Sequence, residues 1–137
     1  MGRFLNPGNG GFQRIIKDEV YVDKTGILGI LNQWIDTAAR YVCVSRARRF
    51  GKTVAARTIR AYYDNACDSH DLFAPYAIAQ DPSYETHINK YDVIGLDVQS
   101  FFQVGQDPKT FVARLSAEVL EEVCSKWPDI EGLKEKT

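Results

Sequence analysis

Apolar positions along this chain follow two patterns. Ile27, Leu28, Leu31, Trp34, Ile35 and Ala38 fall three or four residues apart, which places them on one face of a helix. Asp23 or Thr25 stands ahead of that run as its cap. A longer stripe, Phe111, Val112, Leu115, Val119, Leu120, Val123, Cys124 and Trp127, predicts a second amphipathic helix. Asp107-Pro108 opens it, with Asp as cap and Pro at the first helical position, and Pro128 closes it. Helical spacing also runs from Thr53 to about Asn65, with Val54, Ala55, Ile59, Tyr62 and Tyr63 turned inward. Two short apolar runs, Tyr41–Ser45 and Val93–Val98, instead have the look of strands buried on both faces. The order strand, helix, strand, helix predicts a parallel α/β sheet with right-handed crossovers. Tyr41–Ser45 and Val93–Val98 are then adjacent or near-adjacent parallel strands, joined across the helix from Thr53.

The remaining segments are shorter. Asn6 to Gly11 is turn chemistry, and Phe12, Ile15 and Ile16 predict a brief helical turn against the body. Val20-Tyr21-Val22 reads as a short strand-like piece. Residues Asp64 to Asp92 are Asp-rich, carry Pro75 and Pro82, and predict short helical pieces anchored by Leu72-Phe73.

The junction after Tyr41–Ser45 carries the candidate chemistry. It reads Arg46-Ala47-Arg48-Arg49-Phe50-Gly51-Lys52-Thr53 and leads straight into a helix. Gly51 lets the backbone approach a phosphate with no Cβ in the way. The free N–H groups that open the helix point at the anion, and the helix dipole favours negative charge there. Lys52 can reach the β- and γ-phosphates, and the Thr53 hydroxyl can ligate Mg²⁺. The strict phosphate-loop pattern has Gly where this chain has Arg46. A bare Gly-Lys-Thr is weak evidence, and an ordinary strand-to-helix turn with a surface lysine is the plainer alternative.

The surroundings add to it. Phe12, Tyr21-Val22-Asp23-Lys24-Thr25, the arginine-rich run Ser45 to Thr53, and Asn89-Lys90-Tyr91-Asp92-Val93-Ile94 occur in that order. This resembles the AAA-ATPase-like family of bacterial proteins, over most of the chain from about Phe4 to Phe102. Members of that family also carry arginine at the first-glycine position. Ala47 replaces their usual proline, and Thr53 stands where serine is common. The resemblance implies a P-loop NTPase-like, three-layer α/β/α fold with parallel strands, here an incomplete sheet. Residues 1–40 would form an N-terminal segment packed on the core, and 41–137 part of the NTPase core. It implies binding of ATP with Mg²⁺ through Arg48, Arg49, Phe50, Gly51, Lys52, Thr53 and Val54, with Thr53 on the metal. Tyr21, Asp23 and Lys24 are weaker candidates for a place near the nucleotide, against the simpler reading of a capping Asp23 and a solvated Lys24.

Asp97 ends an apolar run and invites a role as the acid that holds Mg²⁺ through water. The next residue is Val98, not an acid. In the family it resembles, the acidic strand comes later and ends in Asp-Glu-Tyr-Asp, a run this sequence lacks. Members also often carry a PD-(D/E)XK-type nuclease domain downstream, a route to nucleic acid. The expectation is therefore the N-terminal part of a longer ATPase that binds ATP and hydrolyses it poorly alone. Asp97 is then a sheet-edge acid near the nucleotide or merely structural.

Composition changes this little. The 137 residues suit about one domain, and a formal net charge of −1 gives no global pull toward nucleic acid or membrane. No apolar run approaches a bilayer-spanning length, and nothing resembles a signal peptide, so a cytoplasmic location is the default. Cys43, Cys67 and Cys124 lack metal or disulfide spacing, and Cys43 and Cys124 read as small core residues. His70 and His87 are isolated and read as solvated or capping residues. Locally, Arg40, Arg46, Arg48, Arg49, Lys52, Arg57 and Arg60 form a basic block with no acid between Arg40 and Tyr63. Arg57 and Arg60 read as a solvated helix face, whereas for Arg48 and Arg49 contact with phosphate or a neighbouring subunit weighs evenly against a solvated place. The block also suits the rival reading, a non-catalytic module that binds nucleic acid or a protein partner. A small phosphotransferase with Asp97 as base is a third reading.

Overall fold

The computed structural model describes residues 2–45, 51–102, 105 and 107–130. Its described elements are helical: α1 (Gly10–Ile15), α2 (Gly26–Trp34), α3 (Lys52–Tyr63), α4 (His70–Phe73), α5 (Tyr84–His87), α6 (Val98–Phe101) and α7 (Pro108–Lys126). Short 3-10 turns, Ala38–Arg40 and Ala77–Gln80, fall between them.

The main core gathers around α3. Phe12 from α1, Leu28 from α2, Ala61 and Tyr62 from α3, and Phe73 from α4 are all fully buried. Phe12 stacks on Phe73 with ring centroids 4.5 Å apart, and Tyr62 meets Phe73 edge-on at 5.6 Å. A buried polar net ties α2 to α3 at the same place. Asn32 donates to Tyr62 Oη at 3.1 Å and accepts from the Tyr63 hydroxyl at 2.6 Å. A second, smaller core joins Phe4, Phe101 and Phe111, where α7 meets the N-terminal segment.

The last turn of a helix leaves carbonyls without intrahelical partners, and in α3 the loop after it supplies donors. Asn89 N–H donates to Tyr62 O at 2.7 Å, Tyr91 N–H to Tyr63 O at 2.9 Å, and Ser69 Oγ to Ala61 O at 2.7 Å. Asn89 also turns its amide onto Asp64 O at 2.6 Å, from a backbone at φ 52. That left-handed conformation is one that asparagine adopts more readily than other side chains.

The helical expectations hold in most part, although α2 ends at Trp34 and leaves Ile35 and Ala38 of its stripe beyond it, and Val112 of the α7 stripe is exposed. Phe12 and Ile15 are buried on α1, and α7 starts at Pro108 with Asp107 accepting from Thr110 N–H at 3.2 Å. The short helical pieces expected within 64–92 are α4, the second 3-10 turn and α5, and Phe73 is the anchor.

The expected three-layer α/β/α parallel sheet is overturned. Among the described residues there is no strand, only two isolated bridges, Leu5 with Ile94 (antiparallel) and Asp64 with Tyr91 (parallel). Tyr41–Ser45 is exposed rather than buried, with Tyr41 at 82% and Val42 and Val44 at 42% of full exposure. Cys43 is exposed with it and is not a core residue; Cys124 is buried as expected. Residues 93–95 take their backbone partners from the N-terminal segment instead. Asn6 N–H donates to Val93 O at 2.7 Å, and Gly95 N–H to Phe4 O at 2.9 Å. The strand-like reading of Val20–Val22 also fails, since Val20 and Val22 are exposed and unpaired in a sheet. The reason is general: an apolar run has β-character only when neighbours complete its ladder, and a run of four to six residues carries no information about where those neighbours are.

Candidate functional site

The Gly-Lys-Thr step sits where the sequence places it, at the start of a helix. Gly51 is the residue before α3 and has φ 86 and ψ 21, left-handed backbone that favours glycine. Ala55 N–H donates to Gly51 O at 2.9 Å, the first bond of the helix. The N–H groups of the first turn have no intrahelical acceptor. No acidic residue lies in that turn, so nothing of α3 competes with an anion there. Lys52 and Thr53 are exposed, and Val54 is half-buried with its carbonyl accepting from Thr58 Oγ1 at 2.8 Å. Arg48, Arg49 and Phe50, with Arg46 and Ala47, lie outside the described residues.

What fixes the helix start is packing behind it. Helix α1 lies on α3, and the aliphatic stem of Arg57 runs over Gly11, where a Cβ would meet Arg57 Cδ at 3.2 Å. Arg57 is exposed beyond that contact, while Arg60 is half-buried against Gly95. The solvated-face reading therefore fits Arg57 better than Arg60.

A second segment reaches the same end of α3. Asp23 Oδ1 accepts from Thr25 N–H at 2.8 Å and Thr25 Oγ1 at 2.6 Å, and Asp23 Oδ2 accepts from Ala77 N–H at 2.8 Å. Thr25 is fully buried and its hydroxyl accepts from Ile78 N–H at 3.2 Å. Burial pushes the Asp23 carboxyl up, but the hydrogen bonds from Thr25 and Ala77 outweigh it and hold the group below the usual aspartate range. Tyr21 sits edge-on to Phe12 and Tyr76, and burial, with Asp23 and Tyr76 nearby, pushes its phenol up to about 12. The result is a clip that sets Lys24 beside Gly51: a Cβ placed on Gly51 would lie 2.9 Å from Lys24 Nζ. Asp18, Tyr21, Val22, Lys24, Gly51 and Val54 line a cleft of about 260 Å³.

Of the larger clefts elsewhere, two lie along α7. One of about 740 Å³ is lined by Glu118, Glu121 and Glu122, and the other, of about 880 Å³, by Pro108, Val112, Ala113 and Leu120. The first is acidic and the second apolar, so neither suits a phosphate, and chemistry outweighs size in choosing between the three.

Asp97 does not join the lysines. It caps α6, accepting from Ser100 N–H at 3.3 Å, which is the structural one of its two expected roles. Among the described residues no group of three or more His, Cys, Asp or Glu side chains could hold a metal ion. No helix among them is long and apolar enough to cross a membrane.

Sequence reasoning named Asn89-Lys90-Tyr91-Asp92 without assigning it work. Asn89 and Tyr91 close the end of α3, and Asp92 accepts from Lys126 Nζ at 2.6 Å and Asn6 Nδ2 at 2.8 Å. The signal was present in Asn89 itself, a residue that tolerates left-handed backbone in the middle of a loop.

A protein-family model described as "AAA-ATPase_like: Predicted AAA-ATPase" matches residues 8–132. No curated protein and no solved structure matches the chain.

Proposed function

This chain belongs to the AAA-ATPase-like family, and from that premise we propose that it binds ATP with Mg²⁺ through a Walker A-type loop ending at Gly51-Lys52-Thr53. The observation that carries the reading is the start of α3: a left-handed glycine, first-turn N–H groups with no intrahelical acceptor, no acid in the first turn, and two lysines from separate segments. These groups suit a phosphate chain and nothing apolar or cationic.

In this reading Lys52 meets the β- and γ-phosphates, and the first-turn N–H groups hold the phosphate nearest Gly51. Thr53 would supply a protein oxygen to Mg²⁺, which when bound would neutralise charge on the phosphates. Val54, half-buried, ties the loop to the body. Arg48, Arg49 and Phe50 would complete the loop on its N-terminal side. Turnover needs an acid that orients water, and Asp97 is committed to capping α6. Binding with little hydrolysis is the behaviour this chain supports.

Calorimetric titration of Lys52→Ala with Mg·ATP tests it. Removing one partner of a desolvated charge pair costs about 2–5 kcal/mol, a loss of roughly 30- to several-thousand-fold in affinity. Unchanged affinity in the folded variant overturns the reading. So does a wild-type chain that ignores ATP and binds nucleic acid through its basic block.

A further inference from the structure

The clip that carries Lys24 has more construction than a solvated lysine requires. The residues on both sides of Lys24 are fixed. Asp23 is held by Ala77 and Thr25, and Thr25 is fully buried and bonded to Ile78. Tyr21 is wedged between Phe12 and Tyr76 at centroid distances of 6.2 and 5.2 Å. With its two neighbours held by these bonds, the exposed Lys24 side chain runs to Gly51. There Lys24 Nζ lies 2.9 Å, and Lys24 Cε 3.9 Å, from the point where a Gly51 Cβ would stand.

That position is the positive end of α3. A cation is the wrong sign for a helix N-terminus, and Lys52 adds a second cation one residue on. The acids near this end are few. Asp23 has both oxygens engaged, and Asp18 lines the cleft. Lys24 already has an interaction of its own in this structure, so the argument rests on where its ammonium is delivered. An ammonium and first-turn N–H groups without intrahelical acceptors, brought together at one left-handed glycine, share a natural ligand, an anion lying over that glycine.

We propose that Lys24 is a second phosphate-binding residue of the site, contacting the phosphate that lies over Gly51 and delivered there by the Asp23–Thr25 clip. The proposal rests on the nucleotide reading above. It gives Lys24 a role on the phosphate chain, distinct from the base, and it gives the hydrogen-bonded Asp23 and the buried Thr25 a purpose as positioning residues.

The test uses the chain as it stands, titrated with Mg·ATP and with Mg·tripolyphosphate, which is the phosphate chain without a nucleoside. Lys24→Gln should bind both about 10- to 150-fold more weakly than wild type, the worth of a hydrogen bond to a charged group. Lys24→Met keeps the apolar stem and should match Lys24→Gln, while the ligand-free melting temperature of both should stay near wild type. The dependence of affinity on salt should also become shallower in both. A wild type that binds neither probe overturns the nucleotide reading and this inference with it. A wild type that binds both, beside a Lys24→Gln that binds as tightly, overturns this inference alone. So does a loss confined to ATP, which would put Lys24 on the nucleoside, or a Lys24→Met that binds like wild type.

Discussion

Replacing Gly51 by alanine separates the two things this glycine does. Its backbone sits at φ 86, where an L side chain costs about 1–2 kcal/mol. In a domain of this length each kcal/mol lowers the melting temperature by roughly 2–8 °C, so a fall of several degrees is expected. The added Cβ would also stand 2.9 Å from Lys24 Nζ. That contact is resolved by swinging the end of a flexible side chain, and it adds little to the stability cost. Its effect on ligand is larger, because the methyl occupies the surface against which a phosphate would rest and displaces the ammonium beside it. Gly51→Ala should therefore lose Mg·ATP affinity far beyond what its stability loss explains. Gly26→Ala is the matched control: Gly26 begins α2 at negative φ, and a Cβ there meets nothing within 4 Å. It should raise stability by about 0.5–1 kcal/mol and leave binding alone. Thermal denaturation and calorimetric titration of the two variants decide it. A Gly51→Ala that melts with wild type refutes the left-handed backbone, and one that melts lower yet binds normally refutes the phosphate seat.

Other expectations follow from the same structure. Phosphate release by the isolated chain should be hardly above background, and Asp97→Asn should change it little and leave stability near wild type, since Asn caps a helix about as well as Asp; robust turnover abolished by that substitution would make Asp97 the metal-linked acid instead. Asn89→Ala should cost about 2–4 kcal/mol in denaturant unfolding, since it removes the bonds to Asp64 O and Ala61 O and leaves alanine at φ 52; a loss below 1 kcal/mol would show that water replaces the cap. His70, bonded first of all to Asp68 at 2.7 Å and facing Glu85 at 3.2 Å, is held above the usual histidine range. Its contribution to stability is full below the unfolded value of about 6.5 and fades as pH rises through the higher folded value. NMR titration should place His70 above His70 in Asp68→Asn, and equal values would remove the pair.

The helical half of this structure was legible because its signals are local. Asp107-Pro108 starts α7 through one side chain and one fixed φ, and the Phe12–Ile15 turn and the Leu28 face need only their own spacing. Gly51 was legible for the same reason, as a residue whose conformational freedom is intrinsic. The sheet was not legible. Val93 and Gly95 bond to Asn6 and Phe4, nearly ninety positions away, and no property of Val93–Val98 names that partner. The runs at 41–45 and 93–98 are apolar, yet Ile94 and Val98 are each about half exposed. Apolar content was read as burial, a rule that holds in one direction only. Lys24 is exposed, as the solvated reading has it, but its place beside Gly51 was not legible, because that depends on contacts of Asp23 with Ala77 and Thr25 with Ile78, more than fifty residues on.

A helix of twelve residues is marginal in water by itself, so the precision of any site at its start has to come from elsewhere. In α3 it comes from both ends and one face. Asn89, Tyr91 and Ser69 hold the last carbonyls, and α1 covers the side that carries Arg57. Tyr62 is fixed by bonds to Tyr84 O at 2.9 Å and to Asn32. The Asp23–Thr25 clip is anchored on residues 77 and 78, which belong to the same core through Ile78. The helix start and Lys24 are therefore referenced to one rigid body by independent routes, and neither route passes through Tyr41–Ser45 or Val93–Val98 pairing as strands. The geometry around Gly51 stands on side-chain packing and capping among helices, which is why it persists with no strand among the described residues.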